Sequence, residues 1–320
     1  MYQTIVIPLD LSDTAEKALA YVSHLAVPHT SRLVIVHSIE PQQYAFGSVS
    51  NESNVFSDLL NTLEKNAVDY LTATREKLEQ AGYAVTIHVA QADAAQFIVD
   101  IAVSEQADLI AMTTHGRTGF ARWALGSVAD RVIRTAHHPV FLVRSDMSEQ
   151  KESAIQQILV PLDGSSLAEA GVQQAKCIAS RTGATLVLLR VIAPLTPWEK
   201  QILNQTPRPA GEPTGEPTGG TVVDSVEQAR RYLGDVAQQL REEGIVVSEK
   251  LFTGSPADVI LTVASEEQMD LIVMNTHGYG GYTRWVYGSV ANRVLHNAPC
   301  PLLLNRALPK EATLLQETSG

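Results

Sequence analysis

The chain carries the same plan twice. "IVIPLDLS" from Ile5 returns as "ILVPLDGS" from Ile158, and "RLVIVHSIEP" from Arg32 returns as "TLVLLRVIAP" from Thr185, both after 153 residues. Later segments return after 162 residues: "ADLIAMTTHG" from Ala107 as "MDLIVMNTHG" from Met269, and "HHPVFLV" near His137 as "APCPLLL" near Ala298. A repeat this long constrains the fold more than any composition does, because each copy must be a unit that folds to one design. Length agrees: 320 residues suit two domains better than one. The expected boundaries are domain one over 1–146, a polar linker over 147–154, domain two over 155–307 and a loose tail over 308–320. The second copy gains nine residues net, and the Pro- and Gly-rich stretch from Pro194 to Gly220 takes them, as a mobile loop acting as a spacer.

Each copy alternates strand and helix. "TIVIPL" is a short, β-branched apolar run and reads as a buried strand. Ser12 offers an N-cap, with Glu16 in the first turn, for a helix through about Ala26. "RLVIVHSI" is a second strand, residues 55–80 have helical spacing that Gly82 stops, and "AVTIHVA" is a third strand. Ala94 to Ser104 reads as helix, "DLIAMTT" as strand, Ser127 to Thr135 as helix and "PVFLVR" as the fifth strand. Strands apolar throughout imply a sheet covered on both faces. The fold class is therefore α/β: two doubly wound, flavodoxin-like domains with five-stranded parallel sheets in the order 3-2-1-4-5.

That order locates a ligand in the crevice beyond the carboxyl ends of strands one and four. Strand one ends in "PLD", at Asp10 and at Asp163; strand four ends in "MTTHG" and "MNTHG". Nine residues separate Gly116 from Gly126, which with Ser127 opens a helix, and Gly278, Gly288 and Ser289 repeat the pattern. Glycine at a helix start admits a ligand to the free backbone amides, where the helix dipole favours a phosphate. Ser127 either caps the helix or turns its hydroxyl to that phosphate. A carboxylate across the crevice can accept from a ribose or a base edge, so a nucleotide satisfies both ends.

These motifs, in order and twice, resemble the universal stress protein family over nearly the whole chain. Nucleotide-binding members show G-x-x-G, nine residues, then G-S or G-T. Here the nine-residue spacing and the serine are kept, while the first glycine is replaced by Thr113 and Asn275. The resemblance implies that Pro8, Leu9 and Asp10, and Pro161, Leu162 and Asp163, meet the base and ribose. Ser38 or Val191 would pack on the base, Ser38 replacing the usual apolar residue. Met112, Thr113, Gly116, Gly126, Ser127 and Val128 would line the ribose and phosphates, as would Met274, Asn275, Gly278, Gly288, Ser289 and Val290. If the substituted glycine position needs positive φ, threonine suits it poorly and asparagine tolerably, which favours the second crevice. The implied ligand is ATP in at least one crevice, with magnesium held through its phosphates and not by protein side chains. The resemblance also implies association, between domains or chains, through the last strands, and an unknown regulatory protein partner. The alternatives are a ligand-free scaffold or dimerisation module, and a weak ATPase.

Other chemistries lack their residues. His115 and His277 have no neighbouring nucleophile or acidic orienter, so no catalytic residue is assigned. Arg122, Arg284, Trp123 and Trp285 read as solvated or packing side chains, and His137 and His138 lack a third metal ligand. There is no G-x-x-x-x-G-K-[ST], no G-x-S-x-G and no G-x-G-x-x-G. The formal charge of −11 disfavours a nucleic-acid backbone as partner. No signal peptide or membrane span is expected, and Cys177 and Cys300 form no CxxC pair, so a reduced, cytoplasmic setting fits.

Overall fold

The computed structural model describes residues 2–44, 53–114, 125–144, 154–194, 220–276 and 288–306. Within them the first copy runs β1 (Thr4–Pro8), α1 (Asp13–Ala20), α2 (Val22–Leu25), β2 (Arg32–Ile39), α3 (Ser53–Gln80), β3 (Ala84–Gln91), α4 (Ala94–Ser104), β4 (Leu109–Thr113), α5 (Ser127–Thr135) and β5 (Val140–Val143). The second runs β6 (Gln157–Leu162), α6 (Ser166–Thr182), β7 (Thr185–Ile192), α7 (Gly220–Glu242), β8 (Val247–Thr253), α8 (Pro256–Glu266), β9 (Leu271–Thr276), α9 (Ser289–Asn297) and β10 (Leu302–Arg306). The loop expected at 194–220 lies, but for its two ends, outside the described residues, as do most of the linker and the tail.

Local chemistry sets the element ends. Ser12 Oγ accepts from the Ala15 amide and Ser165 Oγ from the Ala168 amide, so both first helices start on a serine cap. Gly82 follows α3 at φ 92° and Gly183 follows α6 at φ 73°, left-handed positions that stop a helix. The helix expected through about Ala26 is in two segments, α1 ending at Ala20 and α2 at Leu25, with Tyr21 between them in αR conformation. Tyr21 is 4% exposed, and its ring packs against Phe141 at a centroid distance of 5.7 Å.

All ten strands form one sheet in the order β3-β2-β1-β4-β5-β10-β9-β6-β7-β8. Each copy contributes parallel strands in the order 3-2-1-4-5. The copies join where β5 and β10 pair antiparallel, Leu142 opposite Leu302, Phe141 opposite Leu303 and Val140 opposite Leu304. A sheet of this kind hides its central strands on both faces, and β4 and β5 are buried at every residue. The third strand of each copy departs from the apolar-throughout expectation. β3 and β8 are the outer edges, their residues half-buried or exposed, because only one neighbouring strand and one helix cover them.

A hydrophobic core lies on each side of the sheet, and each contains residues of both copies. Phe141 and Leu303 meet in one; Leu142 and Leu302 meet in the other. Polar contacts also cross between copies: Tyr2 Oη donates to Gln174 Oε1 (2.7 Å), Arg181 to the Ser23 carbonyl (2.8 Å) and Arg144 to the Ala298 carbonyl (3.0 Å). With cores this continuous, the copies unfold together. Phe141→Ala should lower stability by about 3–5 kcal/mol, the cost of emptying a buried aromatic site. Urea unfolding followed by far-UV circular dichroism and by tryptophan fluorescence should stay a single coincident transition in wild type and variant. Two separated transitions in the wild type would show independent domains.

Candidate functional site

Two cavities open at the strand ends where the winding reverses. The first, about 250 Å³, takes Pro8, Leu9 and Asp10 from the end of β1, Met112 and Thr113 from β4, and Gly126, Ser127 and Val128 from the head of α5. The second, about 350 Å³, takes Pro161, Leu162 and Asp163, then Met274 and Asn275, then Gly288, Ser289 and Val290. Ser38 and Val191 line the first and second respectively. Gly116, Gly278, His115, His277, Arg122, Arg284, Trp123 and Trp285 lie outside the described residues.

The helix heads are built for close approach. Gly126 and Gly288 sit at the N-cap with extended backbone, φ −62° and −56°, so neither position needs glycine for its conformation. Neither cap offers a side-chain hydrogen bond to the first turn. The Gly126 amide donates to the Thr114 carbonyl at 2.8 Å, which docks the start of α5 on the end of β4. Among the described residues, a Cβ placed on Gly288 would meet nothing within 4 Å, so the head of α9 is open on the cavity side.

Across each cavity the aspartate braces its own turn. Asp10 Oδ1 accepts from the Ser12 amide (3.2 Å) and hydroxyl (2.5 Å), and Asp163 Oδ1 accepts from the Ser165 amide (2.9 Å) and hydroxyl (2.5 Å). The same serines cap the following helices, so each aspartate is held in place by the helix start it helps to organise. The residue after the aspartate takes the left-handed conformation in both copies: Leu11 at φ 64° and Gly164 at φ 82°. Leucine is a poor occupant of that region, so this turn in the first copy is strained and in the second is not.

Several lining residues had no signal as isolated motifs. His37 Nδ1 bonds the Leu9 carbonyl at 2.7 Å, and Arg190 donates to the Leu162 carbonyl at 3.2 Å from the equivalent position. A carbonyl only accepts, so His37 Nδ1 carries a proton. Both side chains tie strand two to the "PLD" turn, by different chemistry. Their 153-residue equivalence was visible, but the residue types do not match. Glu40 and Tyr44 also line the first cavity, with Glu40 Oε1 accepting from the Ala94 amide at 3.0 Å. The Ser38 hydroxyl donates to the Ala92 carbonyl at 2.5 Å.

Behind the cavities, Tyr70 donates to Glu16 at 2.6 Å; burial first, then that carboxylate, raises its pKa far above the usual phenol range. Burial, followed by Glu169 and Asp163, raises Tyr232 in the equivalent place. Both phenols stay protonated at neutral pH; the Tyr70 hydroxyl donates to Glu16, while the Tyr232 hydroxyl has no partner among the described residues. Thr113 and Asn275, 8% and 9% exposed, belong to β4 and β9 and are not among the residues with positive φ. The preference for the second crevice based on positive φ therefore falls: both positions are extended strand. Among the described residues, no group of three or more His, Cys, Asp or Glu gathers to hold a metal. No described helix is long and apolar enough to cross a membrane.

A doubly wound pair of domains with a glycine-headed helix facing "PLD" in each defines a class, and comparison places the chain in it. The sequence profile of the universal stress protein family matches residues 1–144 and 154–306, so the chain belongs to that family. A universal stress protein of Mycolicibacterium smegmatis is 26% identical over 314 residues, covering 94% of this chain and 96% of that one. A universal stress protein of Methanocaldococcus jannaschii is 30% identical over 149 residues, 47% of this chain and 86% of that one. The crystal structure of a universal stress protein from Archaeoglobus fulgidus superposes with a TM-score of 0.67 at 22% identity, covering 95% of this chain and 98% of that one.

The strained turn gives a test of how alike the copies are. Gly164→Leu, which copies the first turn into the second, should cost about 1–2 kcal/mol in urea unfolding, the penalty of a left-handed leucine. Leu11→Gly should cost nothing or stabilise slightly, since relief of strain offsets the added freedom of the unfolded chain.

Proposed function

We propose that this chain is a regulatory protein of the stress response that binds ATP in at least one of its two crevices. One observation carries this reading. Gly288 heads α9 in extended conformation, beside a cavity of about 350 Å³, with nothing among the described residues within 4 Å of where its Cβ would be. That arrangement leaves first-turn amides open to a phosphate. At the other side of the cavity Leu189, Val191 and Ile260 supply an apolar bed for a base. Asp163 and Arg190 add one negative and one positive side chain to the cavity lining. Magnesium would be carried on the phosphates.

One universal stress protein has been solved in complex with cAMP; for this chain the argument rests on its own residues. We read the chain as a sensor, whose output is occupancy of the crevice. Occupancy would alter contacts with a regulatory protein partner or a second copy, in the cytoplasm.

Calorimetry on protein stripped of carried-over nucleotide tests this. ATP with magnesium should give saturable heat, and Gly288→Val should weaken binding at one site by about tenfold or more, as expected where a side chain covers the helix amides. Because the backbone at 288 is extended and unhindered, the same variant should lose no more than about 1 kcal/mol of stability. An absence of heat up to millimolar ATP would sink the reading.

A further inference from the structure

Asn275 stands where the family pattern has a glycine, near the end of β9. It is 9% exposed, and neither its Nδ2 nor its Oδ1 has a hydrogen-bond partner. An amide buried with both atoms unpaired is unfavourable, so such a group in a folded protein calls for a reason. A second oddity faces it. The interior of α6 carries a glycine, Gly171, and a Cβ there would come within 3.2 Å of Asn275 Oδ1 and 3.8 Å of its Nδ2. Glycine inside a helix is itself unfavourable. The first copy has neither feature: Thr113 and Ala18 hold the equivalent positions. Thus one copy has shed a methyl group from a helix to admit an amide that then bonds to nothing. Packing does not explain the exchange.

Asn275 also lines the second cavity. In the second copy the strands run β9, β6, β7 across the sheet, so along the carboxyl edge Asn275 comes first, Asp163 second and Val191 third. With phosphates at the head of α9 and the base on Val191, the group nearest Asn275 and Asp163 is the sugar. A ribose hydroxyl both donates and accepts, as does a primary amide.

We infer that Asn275 is a specificity-determining residue of the second crevice, reading the ribose hydroxyls of a nucleotide. The inference rests on the nucleotide reading above. Held against Gly171, the amide has neither atom paired among the described residues. In the inferred complex it turns by rotation about χ1 toward the cavity its residue lines, and pairs with a ribose hydroxyl.

The test compares ATP, 2′-deoxy-ATP and 3′-deoxy-ATP by calorimetry on the full chain, as wild type, Asn275→Ala and Gly171→Ala. The wild type should prefer ATP to at least one deoxynucleotide by about 5–20-fold at one site, the range of one or two net hydrogen bonds. Asn275→Ala should lose that preference, its ATP affinity falling by the same factor and its deoxynucleotide affinity unchanged. Without nucleotide, Asn275→Ala should melt at or above the wild-type temperature, because it sheds an unpaired amide; an asparagine with a merely structural role would lower it. Gly171→Ala, which crowds the amide out from under α6, should bind ATP at least as tightly as the wild type. Equal ATP affinity in wild type and Asn275→Ala overturns the inference alone, and is the result that a water trapped on the amide would give. If the wild type binds no nucleotide, the nucleotide reading fails first and this one with it.

Discussion

The antiparallel pairing of β5 with β10 is the constraint on which the rest of the structure depends. Each copy by itself would end on an open strand, with unpaired amides and carbonyls along a fully buried apolar sequence. Pairing the two edges removes both liabilities and fuses two five-stranded sheets into one of ten. It also merges the cores, because Phe141 and Leu303 face one side of the seam and Leu142 and Leu302 the other. The pairing has a directional consequence. Strands within a copy are parallel and the seam is antiparallel, so the carboxyl ends of the two halves point to opposite rims of the sheet. The crevices therefore lie on opposite sides, each completed by its own copy. No single ligand can bridge them, and any coupling between them must pass through the seam.

Much of this was legible because duplication doubles the sequence signal. Strand and helix periodicity gave β2, α4 and α5 their observed limits, and the offsets between copies fixed the topology that puts "PLD" opposite the helix heads. What stayed hidden depends on contacts that periodicity does not encode. The end of α1 at Tyr21 follows from a ring that packs on Phe141, 120 residues further along. The exposure of β3 and β8 follows from their place at the rim, and "AVTIHVA" is apolar enough to pass for an interior strand. His37 and Arg190 were obscured because the copies solve one tethering problem with different side chains. The left-handed Leu11 is invisible to any rule that looks for glycine at such positions.

The differences between copies are not scattered. Residues on the α5 and α9 side of the crevices are nearly unchanged: Met112 and Met274, Gly126 and Gly288, Ser127 and Ser289, Val128 and Val290. The "PLD" turns are identical. On the opposite side, toward α1 and α6, His37 stands for Arg190, Ala18 for Gly171 and Thr113 for Asn275, and Leu11 for Gly164 in the turn between. Ser38 and Val191, Val36 and Leu189, and Ala94 and Pro256 break the division. A helix head that meets a phosphate can vary little, since backbone amides and the want of a side chain do the binding. The layer behind the strand ends contacts what differs among ligands, or contacts nothing, and is free to diverge. The substitutions there are also mutually adjusted, the methyl lost at Gly171 making room for the amide gained at Asn275. In a close-packed interior either difference alone would leave a gap or a clash, so the two residues are packed as a pair. The two crevices thus share their helix heads and "PLD" turns and differ in the side chains behind them, on opposite rims of one sheet.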